Sequence, residues 1–248
     1  METYRGDVLL LHGGSHGAWC WEEVLRELER AGCRGHAPDL PGAGADPTPR
    51  ASVTFESCLA AATAFIESEG IEEFVLVGHS LAGILLPELA AAHPGKIRGV
   101  VFVAAFVLNR GERVIDLIAP ERVPEYRRLA EADPGRSVML PYAAARERFF
   151  NDLDEAAARA AYARLTPQPL APYFAPARLD PRGVGSLSRY LVCRRDRNLP
   201  PGVCRGYAAK LVVPVEEIDA GHDAMLSRPA ELASLLLRRG PARGDNCA

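Results

Sequence analysis

The chain has 248 residues, 48% of them apolar and 25% charged, enough for one large α/β domain or two small ones with a proper core. A formal net charge of -3, with acids and bases interspersed, offers no electrostatic footprint for nucleic acid or an anionic membrane surface. No apolar run approaches the length of a membrane span, so those partner classes are set aside. The cysteines (Cys20, Cys33, Cys58, Cys193, Cys204 and Cys247) show no CxxC or Cys/His metal spacing and are expected as free thiols, with no metal site. Met1-Glu-Thr-Tyr-Arg-Gly-Asp7 has none of the parts of a signal peptide, so a cytoplasmic location is expected. Lys96 and Lys210 are the only lysines, which leaves little scope for Schiff-base chemistry.

In chain order, the apolar run Asp7 to His12 reads as a buried strand delivering the tight loop at Gly13-Gly14. Helical spacing follows from Trp21 to Ala31, with Gly32 placed to end it. A weak strand at Cys33 to His36 enters the Pro/Gly-rich loop Pro38 to Pro47, and a helix is predicted over Phe55 to Glu69. Glu72 to Gly78 is a strand, Leu81 to His93 a helix, and Ile97 to Phe106 another apolar strand. Strands alternating with helices imply a mostly parallel central sheet covered by helices on both faces.

Between about Leu108 and Asp180 the rhythm changes, strands vanish, and segments such as Glu121 to Ala132 and Asp154 to Leu165 read as helices. The alternation resumes with a strand at Tyr190 to Cys193, a helix at Pro201 to Ala209, a strand at Val212 to Ile218 and a helix at Pro229 to Arg239. The expected organisation is one α/β core from residues 1–107 and 181–248, with residues 108–180 inserted as a helical cap.

Chemistry concentrates at Val75-Leu-Val-Gly-His-Ser-Leu-Ala-Gly83, a strand that ends in a sharp turn with Ser80 at its apex before a helix. A serine hydroxyl is a poor nucleophile until a base takes its proton. His222 follows the strand at Val212 to Ile218, and Asp196 follows the strand ending at Cys193. In a parallel sheet both would therefore stand at carboxyl ends of strands. Asp180 and Asp219 are weaker candidates for the acid. The order Ser80, Asp196, His222 is that of the α/β-hydrolase triad. The backbone amides of Gly14 and Leu81 are the natural donors to a developing oxyanion.

These residues carry a resemblance. His12-Gly-Gly-Ser-His-Gly-Ala-Trp19, Gly78-His-Ser-Leu-Ala-Gly83, Cys193-Arg-Arg-Asp-Arg-Asn-Leu-Pro-Pro201 and Gly221-His-Asp-Ala-Met-Leu-Ser-Arg-Pro229 resemble the α/β-hydrolase branch of plant methylesterases, plant hydroxynitrile lyases and bacterial esterases. The resemblance implies an α/β-hydrolase fold with Ser80 as nucleophile, His222 as base and Asp196 as acid. It also implies an oxyanion hole from the amides of Gly14 and Leu81, and a short cap over the pocket. The usual fifth-position glycine of the elbow is Ala82 here, still small enough for close packing. Where lyase members carry a threonine and a lysine, this chain has Gly13 and Asp223, which argues against lyase chemistry.

The expected activity is cofactor-free hydrolysis of a small to medium, largely uncharged carboxylic ester, such as a methyl ester or a lactone, through an acyl-enzyme. Alternatives are a cyclising or C–C-cleaving enzyme of secondary metabolism on the same fold, a ligand-binding protein with a vestigial site, and a type II thioesterase. The protein is expected as a monomer or homodimer whose partner is its small-molecule substrate. Tyr126, Phe149 and Phe150 are candidate substrate contacts from the cap. His16 either touches a substrate oxygen or pins the glycine loop. His12 and His79 read as structural neighbours of the site, and Asp223 as a residue that faces solvent or tunes the pocket against negatively charged substrates, the former favoured.

Overall fold

A computed structural model describes residues 4–238 of the chain. In chain order its strands are β1 (Asp7–Leu11), β2 (Arg34–His36), β3 (Phe74–His79), β4 (Ile97–Val103), β5 (Ser137–Val138), β6 (Gln168–Pro169), β7 (Ser188–Cys193) and β8 (Val215–Ile218). All but β5 and β6 join one six-stranded sheet in the order β2-β1-β3-β4-β7-β8, with every neighbouring pair parallel. The helices are α1 (Glu22–Arg30), α2 (Phe55–Ser68), α3 (Leu86–Ala92), α4 (Val114–Leu117), α5 (Val123–Ala132), α6 (Tyr142–Arg148), α7 (Glu155–Arg164), α8 (Ala171–Phe174), α9 (Pro201–Leu211), α10 (Ala224–Ser227) and α11 (Pro229–Leu236). None of the described helices is long and apolar enough to cross a membrane.

The period-two alternation of side chains along each strand explains why the sheet is apolar on both faces. Leu9 and Leu11 of β1, Leu76 of β3, Phe102 of β4 and Tyr190 of β7 share one buried cluster with α2, α3 and α9. Val8, Leu10, Val77, Val103 and Leu191, one residue out of phase, share the other with α1, α10 and α11. Each such side chain taken fully out of water stabilises the fold by roughly 1.5–3 kcal/mol. The sheet is therefore the rigid base from which the loops at its carboxyl edge project.

The expected element boundaries shift where backbone chemistry overrides periodicity. The helix expected from Leu81 to His93 is split into a 3-10 turn, Ser80–Ile84, and then α3. Pro87 lacks the N–H that would continue one α-helix across the join. β4 stops at Val103 rather than running to Phe106, because Ala104 takes φ +42° and turns the chain out of the sheet. β8 begins at Val215 rather than Val212, since Val212 sits at φ +57° as the left-handed cap of α9. The final helix closes at Leu236 rather than Arg239, and Arg239 and Cys247 lie outside the described residues.

The region expected to lack strands contains two. β5 and β6 pair antiparallel, with Ser137 opposite Pro169 and Val138 opposite Gln168. At two residues each they are too short to leave an alternating pattern in the sequence. α4 to α8 surround this pair, and Phe149, Phe150, Ala158 and Leu165 form a third apolar cluster beneath them. The chain enters this region from β4 and leaves it for β7, which are hydrogen-bonded neighbours in the sheet.

Candidate functional site

Ser80 follows β3 at φ +51°, a conformation that costs a non-glycine residue on the order of 1–3 kcal/mol and persists only where surroundings enforce it. Two of its neighbours do so. The Phe106 N–H donates to the Ser80 carbonyl at 3.0 Å. Gly83 lies so close to the same residue that a Cβ there would come within 2.3 Å of the Phe106 carbonyl oxygen. On the other side Gly13 approaches the turn, and a Cβ on it would meet Ser80 Cβ and His79 Nδ1, each at 2.8 Å. Glycine at both positions lets the backbone close around the serine. Ala82, the departure in the motif, is buried in the core cluster below.

The three side chains singled out from sequence come together in one hydrogen-bonded line. The Ser80 hydroxyl donates to His222 Nε2 at 3.0 Å, and His222 Nδ1–H donates to Asp196 Oδ2 at 2.7 Å. The other Asp196 oxygen accepts the Asn198 and Leu199 amides at 2.7 and 2.9 Å, so the carboxylate is fixed by its own turn after β7. Asp180 instead caps the turn before β7, and Asp219 pairs with Arg194 and Arg195 at the surface.

Burial opposes the charged form of His222, but the Asp196 carboxylate, its hydrogen bond and the nearby Asp223 outweigh it and hold the ring above the ordinary histidine range. The imidazole is thus a stronger base than in water, in the tautomer that leaves Nε2 facing the hydroxyl.

Neighbouring histidines are fixed in the neutral state. His79 donates from Nε2 to the His222 carbonyl at 3.1 Å, and burial together with His222 and His16 keeps it well below the ordinary range. His12 accepts the Leu40 amide at 3.0 Å and donates from Nδ1 to the Gly13 carbonyl at 2.9 Å, and its burial lowers it to about 4. Both act as braces on the loops.

A cavity of about 240 Å³ opens over Ser80. Its wall is chiefly apolar, with Phe106, Leu117, Ile118, Leu140, Leu170 and Leu199 among its members. Gly14, Tyr126 and Phe149 also face it. Phe149 stacks on His222, with centroids 5.7 Å apart and planes 26° apart, and so screens the base from water. His16 and Phe150 do not line the cavity: Phe150 is buried in the cluster beneath the cap, and His16 is sealed behind Gly14.

Asp223 is not solvent-facing. It is fully buried, and its Oδ2 lies 2.8 Å from His16 Nε2. A carboxylate next to a base in sequence reads as surface until the fold brings in a partner 207 positions away.

Further polar residues reach the cavity: Ser15, Arg122 and Tyr173 belong to its wall, as do Asn198 and Gln168. Asn198 places Nδ2 3.2 Å from His222 Nε2, and Gln168 of β6 accepts the Ser15 amide at 2.9 Å. Asn198 stands two residues after Asp196, so its position was readable from the acid; Gln168 arrives only through the β5–β6 pair. His79, His222 and Asp223 could bring metal-binding atoms within 4.8 Å of one another. His222, however, uses both nitrogens on Asp196 and Ser80, and His79 uses Nε2 on a carbonyl, so the trio does not offer three free ligand atoms.

Comparison with known proteins converges on one family. Residues 8–235 match the model described as "Alpha/beta hydrolase family". The chain is 30% identical over 251 residues to a carbendazim hydrolyzing esterase of Nocardioides sp. (strain SG-4G), covering 94% of this chain and 99% of that protein. It is 30% identical over 252 residues to methylesterase 7 of Arabidopsis thaliana, covering 92% and 94%. Among solved structures, an extracellular alpha/beta-hydrolase from a Paenibacillus species superposes with a TM-score of 0.87 at 26% identity, covering 96% of this chain and 100% of that one.

Proposed function

The chain belongs to the alpha/beta hydrolase family, and from that membership we infer that it is a serine esterase, with Ser80 as nucleophile, His222 as base and Asp196 as the acid that orients it. The observation that carries this reading is the unbroken line Ser80 Oγ, His222 Nε2, His222 Nδ1, Asp196 Oδ2 at 3.0 and 2.7 Å. As a substrate carbonyl enters, His222 takes the Ser80 proton while Oγ bonds to the carbonyl carbon. The imidazolium returns that proton to the departing alcohol, and an acyl-Ser80 ester remains. Water, deprotonated by the same nitrogen, then releases the carboxylic acid. Asp196 keeps Nδ1 protonated and stabilises the imidazolium throughout.

The oxyanion formed in each half-reaction is assigned to the amides of Leu81 and Gly14. Leu81 lies in the first turn of the 3-10 helix, where an N–H has no intrahelical acceptor. Gly14 faces the cavity, and its N–H makes no hydrogen bond among the described residues. Such preorganised donors are worth about 10²–10³ in rate apiece.

The chiefly apolar wall suits an acyl or alcohol part that is small to medium and largely uncharged. Tyr126 and Phe149 are its assigned aromatic contacts. Residues 108–180 act as the cap that shapes it, and substrate choice is assigned to them. The described cysteines are buried and unpaired, which fits the reducing cytoplasm expected from the sequence. The esterase character of the relatives gives no support to the cyclising or ligand-binding alternatives.

Ser80→Ala should abolish turnover of p-nitrophenyl acetate and butyrate while leaving the melting temperature in place. A fluorophosphonate should add its mass to Ser80 alone. In heavy-oxygen water the product acid should gain one solvent oxygen. Undiminished turnover in Ser80→Ala, or labelling elsewhere, would sink the assignment.

A further inference from the structure

His16 and Asp223 form a hydrogen-bonded pair outside the triad that is withdrawn from water altogether, with side chains 1% and 0% exposed. Burying such polar groups costs desolvation, and apolar side chains of the same volume often serve stability as well. Its worth therefore lies in what it connects. The Gly14 carbonyl can only accept, so His16 Nδ1, 2.8 Å away, carries a proton and donates to it. His16 Nε2 and Asp223 Oδ2 also lie 2.8 Å apart, within hydrogen-bond distance. The ring is stacked on Trp19 and edged by Phe149, which leaves it no other orientation.

The rest of the loop is held just as firmly. The Gly13 carbonyl receives His12 Nδ1–H at 2.9 Å, the Ser15 N–H goes to Gln168 Oε1 at 2.9 Å, and the Ser15 carbonyl receives the Thr166 N–H at 2.8 Å. Ser15 itself sits at φ +66°, a bend that these contacts sustain. With its neighbours so occupied, the Gly14 N–H, which makes no hydrogen bond among the described residues, is left available at the cavity that Gly14 lines.

Asp223 also follows His222 in the chain, and His79, which precedes Ser80, donates to the His222 carbonyl. Residues next to the nucleophile and next to the base thus bind the elbow, the base loop and the glycine loop into one body.

We propose that the His16–Asp223 pair is the positioning device of the oxyanion hole, locking the Gly14 amide at a set distance from Ser80 and His222. The proposal rests on the esterase reading above. Neither residue touches the substrate; each acts through the Gly14 backbone.

The test uses full-length protein, p-nitrophenyl butyrate as substrate and two ligands. Butylboronic acid forms a tetrahedral adduct on a serine and needs the hole, whereas butyrate, the product acid, reports the apolar pocket. Displacing a group by about 1 Å through a remote change can cost about 10²-fold. His16→Phe, which keeps the aromatic stack, and Asp223→Ala should each lower kcat by roughly 10- to 100-fold with little change in KM. Each should weaken boronate binding by a similar factor and leave butyrate binding unchanged. Asp223→Asn should recover most of the loss, because a neutral His16 still donates from Nδ1 to Gly14 and can accept the new amide at Nε2. Both Asp223 variants remove the same charge beside His222, so the difference between them reports the contact alone. If Asp223→Ala does not fold, His16→Phe carries the same comparison of boronate with butyrate. Unchanged boronate affinity in the folded variants, or an Asp223→Asn no better than Asp223→Ala, overturns the proposal alone. A wild-type protein that hydrolyses no ester and takes no fluorophosphonate overturns the esterase reading and this proposal together.

Discussion

At the scale of single residues, the site depends as much on missing side chains as on those present. Gly83 packs against the Phe106 peptide that also holds the Ser80 carbonyl, so Gly83→Ala forces the elbow and the segment after β4 apart. We expect it to destabilise the fold by about 1–3 kcal/mol and to lower esterase activity at least tenfold, read by thermal melts and p-nitrophenyl ester turnover. Ala82→Gly, which restores the more usual residue of the motif, should leave activity unchanged and cost about 0.5–1 kcal/mol through added backbone freedom. Ser80, His222 and Asp196 were legible from the sequence because each follows the end of a strand, apolar before Ser80 and Asp196 and Val-Glu-Glu-Ile before His222. Asp223 and Gln168 were not, because what makes them matter is a partner supplied from the far end of the chain or from the cap.

At the scale of elements, the segments between β4 and β7 do more than roof the cavity. Asp152, between α6 and α7, accepts the Gly221 N–H at 2.6 Å, and Asn151 donates to the Arg195 carbonyl at 2.9 Å. These segments thereby hold both the loop of His222 and the loop of Asp196. Asp152→Ala leaves that amide without its acceptor and should cost about 1–3 kcal/mol in urea unfolding, with a lower kcat. An unchanged kcat in a destabilised variant would show that the tether serves the fold alone. The strand–helix alternation of the core was readable because apolar runs and helical spacing differ in period. The β5–β6 pair had no period to read, and the boundaries at Ala104 and Val212 were set by left-handed backbone rather than by side-chain type.

At the scale of the whole molecule, acid should strike activity and stability through different histidines. His12 is held down to about 4, and His79 lies well below its ordinary value; an unfolded chain protonates both near 6.5. As pH falls below 6.5 the unfolded state gains these protons first, so the fold loses stability, on the order of 3 kcal/mol from His12 alone by pH 4. His222, raised above its ordinary value, works the other way: the folded state takes up its proton first, and that contribution is complete below 6.5 and lost as pH rises through the folded pKa. With His93, which burial also lowers, three depressed histidines against one raised predict a melting temperature that declines from pH 7 to pH 5. The same descent protonates the base, so kcat/KM should fall with a midpoint above 6.5, before the fold gives way. The two profiles, measured on one preparation, check both statements. The adjacency of β4 and β7 has a further consequence. Because the chain leaves the sheet and re-enters it on neighbouring rungs, the excursion between them closes a loop whose entropic cost grows only slowly with length. The excursion can therefore change in length or sequence without re-threading a strand, and a chimera carrying a relative's segment between these two strands should fold and shift which esters are turned over, read on a panel of p-nitrophenyl esters.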